Sequence, residues 1–219
     1  MRNYTLSTRI ALVALTALVA LPGVQGMEPV EARKRPRTIA RTFSNPATIT
    51  IPTSDSTVGS VVASPYPAAI AVRGLKGEIR DVNLRLNGLD HPYVDEVEVL
   101  LVGPRGQTAI VMANVGDFDP FADPVTLLLD DEAAAPLPDE TTVQSRAYRP
   151  TIGSGMVVPF AAPAPNPSAN TRLSVFDGGN PNGTWRLFVQ DEYGWTDHGA
   201  ITGGWELEIT TKTKTRKRR

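Results

Sequence analysis

The residues best placed to do chemistry are acids on short loops. Asp191, Glu192 and Asp197 fall in "QDEYGWTDHG", between two alternating segments, and Asp95 and Glu96 open "DEVEVLLV". Calcium takes about six to eight oxygens from carboxylates, amides and backbone carbonyls on loops. Asp95, Glu96, Asp191 and Asp197 are therefore the expected ligands of a Ca2+ ion. Asp191 and Asp197 would face one ion, and Asp95 or Glu96 would reach it from a neighbouring loop. Further acids cluster at Asp90, at Asp117, Asp119 and Asp123, and at Asp130, Asp131 and Glu132. "DFDPFAD" lacks the glycine and final glutamate of an EF-hand. The competing reading of all these acids is a set of solvated loops.

Other chemistries find little support. With no cysteine, thiol nucleophiles, disulfides and thiolate zinc sites are excluded. The two histidines are His91 and His198. Ser154 sits in "GSGM", which lacks the strand, sharp turn and helix of a nucleophile elbow. A serine triad needs Ser, His and acid to converge, and nothing in the spacing brings them together. No acid pair stands out as a glycosidase couple. Phosphate-cradling glycine loops and two-histidine metal motifs are absent.

The elements that must position these loops read as strands. "VNLRL" at 82–86 places Val82, Leu84 and Leu86 on one face. "VEVLLV" at 97–102, the turn "GPRG" and "TAIVM" at 108–112 form a hairpin, with proline and glycine where a β-turn wants them. "TITIP", "AIAV", "VTLLL", "RLSVF", "TWRLFV" and "WELEI" add further short segments cut by turn residues. A run of such strands predicts an all-β sandwich. Trp185, Leu187 and Val189 share a spacing with Trp205, Leu207 and Ile209. That predicts two strands of one sheet, each burying a tryptophan. "DDEAAAPLPDE" has room for a helical turn that Pro136 and Pro138 would end. Asn180 and Asn182 in "NPNGTW" are expected to cap their own turn.

"NPNGTWRLFVQD" followed by "HGAITGGWELEI" resembles the C-terminal half of the P domain, or Homo B domain, of proprotein convertases and bacterial subtilisin-like proteases. "DEVEVLLVGPRGQTAIVM" resembles the middle hairpin of that domain. The resemblance covers residues 42–210 and is weakest over 113–170. It implies a β-sandwich of jelly-roll (galactose-binding-like) type, often with bound calcium. It also implies a non-catalytic module that aids a protease domain, and the aspartate ending one strand matches the family at Asp191. Because only residues 27–41 are expected before the module, no protease activity is carried over.

The N-terminus reads as a secretory signal peptide over 1–26, with Arg2 and Arg9 before the apolar run 10–21 and small residues before position 27. An exported, secreted or cell-surface bacterial protein with no membrane span after signal removal is expected. A basic linker at 27–41 and a basic tail at 211–219 flank the body. Positions 42–210 carry nine basic and 21 acidic residues, a net charge of −12. Basic flanks are ordinarily solvated. Their sharper reading is attachment to a polyanion, with nucleic acid disfavoured by the acidic body and the lack of interleaved aromatics. The expected role is interaction or adhesion with a protein or cell-surface polymer. One alternative is an accessory chain to a separate subtilisin-like serine protease. Another is a carbohydrate-binding module using Tyr66, Tyr93, Tyr193 or Trp195 as a platform.

Overall fold

A computed structural model describes residues 36–53, 59–117, 123–194 and 198–213. The expected signal sequence, Asp119, Trp195, Asp197 and the last six residues lie outside these. Among the described residues the strands run in chain order. They are β1 (Thr38–Asn45), β2 (Ile49–Ile51), β3 (Val61–Val62), β4 (Ala68–Val72), β5 (Glu78–Asp90), β6 (Val97–Val102) and β7 (Thr108–Ala113). There follow β8 (Val125–Leu129), β9 (Ala147–Tyr148), β10 (Thr151–Ile152), β11 (Gly183–Asp191), β12 (Gly199–Ile201) and β13 (Trp205–Lys212). Two short 3₁₀ turns span Val94–Glu96 and Leu173–Phe176.

The strands form two sheets. The first has the order β1-β13-β5-β12-β2, with β8 added to β5 and β9 to β8. The second has the order β10-β7-β6-β11-β3, with β4 also paired to β11. Their inner faces enclose one large apolar core, so the chain is a β-sandwich. Alternation explains the first sheet. Val82, Leu84 and Leu86 of β5 and Trp205, Leu207 and Ile209 of β13 are buried. Arg85 and Glu206 between them point outward and lie 3.7 Å apart. That partly exposed pair contributes little.

The second sheet is covered on both faces, which is why "VEVLLV" does not alternate. Val97, Val99 and Leu101 join the main core. Leu100 and Val102 join Ile110, Phe160 and Phe188 in a second cluster on the opposite face, with Tyr66, Val157 and Ala164 packed against it.

Three expectations need correction. Trp185 and Trp205 lie in opposite sheets, since β11 belongs to the second and β13 to the first. Both inner faces need a large filler, and the shared spacing reflects that need. "RLSVF" is a 3₁₀ turn. Leu173 and Phe176 are three apart and both buried, and the Asp131 carboxylate accepts from the Leu173 N–H (3.0 Å) and the Ser174 N–H (2.9 Å). Residues 130–140 hold turns, with no helix. At the flanks, β1 starts at Thr38 and β13 runs to Lys212, so pairing extends into positions that composition alone leaves to the basic segments.

Candidate functional site

The two acidic loops singled out by sequence meet at one end of the second sheet. Asp191, the last residue of β11, is in register with Val97, the first of β6. The Glu192 N–H then donates to the Glu96 carbonyl at 2.8 Å. Asp95 and Glu96 occupy the 3₁₀ turn that leads into β6, anchored by buried Val94. Partial burial, and then the charge of Asp139, raise the carboxyl pKa of Asp95. Burial raises that of Glu192, with Asp95 and Asp191 adding to it and a hydrogen bond with Tyr193 opposing it. Tyr193, half exposed, is raised chiefly by the Glu192 charge. The rim is thus a crowd of like charges.

Asp191 does not stand on that rim. Its side chain is fully buried. Oδ1 accepts from the backbone N–H groups of Tyr193 (2.8 Å) and Gly194 (3.2 Å), which closes the turn after β11. Oδ2 lies 3.3 Å from His91 Nε2, also fully buried. The two atoms touch without the alignment of a hydrogen bond. His91 Nδ1 sits 2.8 Å from the Tyr93 carbonyl and 3.2 Å from the Tyr93 N–H. Gly199 of β12 passes over the ring so closely that a Cβ there would stand 2.4 Å from His91 Cδ2 and 2.5 Å from the Asp90 carbonyl.

The fit to calcium is incomplete. Among the described residues no group of three or more His, Asp or Glu side chains is arranged to hold a metal ion. Asp95 and Glu96 are brought to the end of β11, Asp191 is occupied behind them, and Asp197 lies outside the described residues. Elsewhere, burial foremost and neighbouring acids second raise Asp81, while Asp131 serves as the cap already described. Asp117 accepts from the Thr142 hydroxyl at 2.8 Å.

The residues weighed for other roles are mostly structural. The Ser154 hydroxyl is hydrogen-bonded to Asp139, whose pKa that contact lowers. His198 is exposed. Tyr66 packs edge-on to Phe188 with ring centroids 4.9 Å apart and donates its hydroxyl to Ala161. Burial pushes its pKa up to about 12. It is thus packed against the apolar cluster on the outer face of the second sheet. Asn180 caps the Asn182 N–H as expected, and Asn182 also bridges to both backbone groups of Leu75.

Two features escaped the sequence reading. No local pattern marks His91 as the partner of Asp191. Glu98, fully buried and accepting from the Gln190 amide at 2.7 Å, had a signal, as the one acid in the apolar run of β6.

A scan of protein-family models and a search of curated proteins return no match. Among solved structures, the chain is similar to the crystal structure of a serine protease of Aeromonas sobria, at 13% sequence identity and a TM-score of 0.35. That similarity covers 83% of this chain and 28% of the protease chain.

Proposed function

We propose that the chain is an exported, non-catalytic β-sandwich module of the P-domain type, acting by interaction or adhesion with a protein or polymer at the cell surface. The observation that carries this reading is the burial of His91. A general base needs a ring nitrogen within reach of a nucleophile and substrate. Here Nδ1 is held by the Tyr93 backbone and Nε2 faces Asp191 inside the fold. The pair that most resembles a catalytic couple therefore serves to tie the end of β5, in the first sheet, to the end of β11, in the second. The motifs that resemble the P domain fall on the β6–β7 hairpin and on β11 to β13, with β6 and β11 inside the second sheet and β12 and β13 on either side of β5 in the first.

Calcium belongs to the proposal as the ion that would relieve the like-charge crowding of Asp95, Glu96 and Glu192. The described side chains do not complete its shell, so backbone oxygens and further residues would have to contribute.

The test is covalent labelling with a fluorophosphonate probe together with a protein-hydrolysis assay on the full chain. The expected result is neither label nor cleavage. Labelling that is lost in a folded His91→Gln variant would overturn the reading.

A further inference from the structure

β1 (Thr38–Asn45) ends the first sheet, and among the described residues it pairs with β13 alone. The other edge strands, β2, β3, β4, β9 and β10, have two to five residues, while β1 has eight. Its register with β13 runs unbroken from Thr38 opposite Lys212 to Asn45 opposite Trp205. Proteins blunt long edges with proline, bulges or charge, and β1 carries one such device, Arg41. The Thr213 N–H donates to the Arg37 carbonyl at 3.0 Å, so the odd-numbered backbone groups face β13. The N–H and C=O groups of Thr38, Ala40, Thr42 and Ser44 therefore face away from it, and all four residues are exposed. Asn45 closes the far end, donating Nδ2 to the Ala69 carbonyl of β4 at 3.0 Å. Side chains divide by the same alternation. Arg41 is in register with Ile209 and shares its face with Ile39 and Phe43. Those two are partly buried, Phe43 against the main core, whereas Arg41 is exposed. The ion pairs among the described residues are Arg85 with Glu206 and His91 with Asp191, and Arg41 joins neither.

We propose that the outer edge of β1 takes an extended segment of a protein partner as an added strand, selected by an acid opposite Arg41 with an apolar residue two positions to either side. The outward N–H and C=O groups supply the main-chain bonds of strand addition. Arg41 stands at a position that makes no backbone bond on this edge. In an antiparallel pair, opposing residues there lie closest, with Cα atoms about 4.5 Å apart. An acid at that place pairs with the guanidinium, and a cation is repelled. Apolar residues two positions away lie opposite Ile39 and Phe43 and complete their burial. The pattern reads the same in either strand direction. Thr38, Ala40 and Thr42, on the other face, are short and leave room for the incoming chain. A second copy of β1 fits poorly. The strand has no acid to meet Arg41, and two bodies of net charge −12, from nine basic and 21 acidic residues at 42–210, repel each other. The inference deepens the interaction role proposed above and rests on it. It uses no residue of the acidic rim and stands whether or not the rim takes calcium.

The test is calorimetric titration of the full chain with a capped heptapeptide in which threonine alternates with valine, glutamate and valine. The same peptide with lysine for glutamate is the comparison. The glutamate peptide should bind one to one, and the lysine peptide should bind roughly fivefold to tenfold more weakly. Arg41→Glu should reverse that preference, a result that loss of folding cannot produce. Thr42→Pro removes an N–H that faces away from β13, so the fold should tolerate it, and it should abolish binding of the glutamate peptide. Equal binding of the two peptides, no binding of either at millimolar concentration, or a folded Thr42→Pro variant that binds like the parent would overturn the proposal. So would a dimer of the full chain that Thr42→Pro dissolves, because the edge would then belong to a second copy. None of these results bears on the non-catalytic reading, which the labelling and hydrolysis assays decide separately.

Discussion

The Glu98 carboxylate and the Gln190 amide meet at 2.7 Å on the outer face of the second sheet, both fully buried. The other Glu98 oxygen accepts from the Val158 N–H at 2.9 Å, so the segment covering this face is tied to a buried acid. Burial raises the Glu98 pKa from 4.5 to about 7, Glu192 adds to the rise, and the bonds from Gln190 and Val158 oppose it. Because the folded value lies above the unfolded one, the folded state holds the proton more tightly. Stability is then greatest below about pH 4.5, falls as pH rises toward 7, and levels off above it. The full displacement is worth at most roughly 3 kcal/mol. Chemical denaturation between pH 5 and 8 should show this decline. Glu98→Gln should flatten its largest part and be no less stable than the parent at pH 8. A parent profile that rises over this range would contradict the assignment.

Trp185 and Trp205 fill the core from opposite sheets, but their indoles differ. Trp185 Nε1 donates to the Pro181 carbonyl at 2.9 Å and its ring meets Phe176 edge-on at 4.8 Å. Trp205 Nε1 is buried without a partner. Alanine at either position should cost roughly 3–5 kcal/mol. Phenylalanine should separate them. At 185 it strands a buried carbonyl and should cost about 1–3 kcal/mol more than at 205, where it removes an unsatisfied donor. Equal costs in urea titrations would show that the hydrogen bond to Pro181 is immaterial.

If the rim acids take calcium, metal removal will be visible in stability. A site with a dissociation constant of about 10⁻⁴ M, at about 2 mM calcium, adds roughly 1.8 kcal/mol. For a domain of this size that is a rise of roughly 4–7 °C over EDTA. Magnesium should give none of it, and Asp95→Asn with Glu192→Gln should abolish it. Without metal, that double variant should melt at or above the parent, because it relieves carboxylates whose pKa is raised by burial first and by neighbouring acids second. A flat response to calcium would remove the ion from the proposal and leave the fold untouched.

Gly199→Ala should destabilise by more than about 2 kcal/mol, since the new Cβ would overlap both the His91 ring and the Asp90 carbonyl. Gly106→Ala is the control. It has φ +83° in the β6–β7 turn with open space around it, so backbone strain alone should cost about 1 kcal/mol. Similar losses at the two sites would mean that β12 can move away from His91.

Much of this fold was legible because its strands are short and cut by turn residues. Period two gave β5 and β13, and the proline and glycine of "GPRG" gave the hairpin. The sheet assignment of the two tryptophans was not legible, because identical spacing results whether strands lie side by side or face to face. "RLSVF" misled because three-residue spacing in so short a segment mimics a strand, and its cap, Asp131, is remote in sequence. Sequence did find the rim, since strand ends carry the loop acids. Period two from Trp185, Leu187 and Val189 aims Asp191 inward as well, but it could not show the partner that receives it, His91, a hundred positions earlier in the chain and marked by no local pattern.

The central claim is that His91 and Asp191 close the sandwich and carry no reaction. A double-mutant cycle of His91→Gln and Asp191→Asn, followed by denaturant unfolding of the full chain, tests it most directly. Each single variant should lose roughly 2–4 kcal/mol, by leaving a buried polar partner uncompensated. The double variant should lose less than the sum by about 1 kcal/mol or more. Single variants as stable as the parent, or losses that simply add, would contradict the account and return the pair to consideration as functional groups.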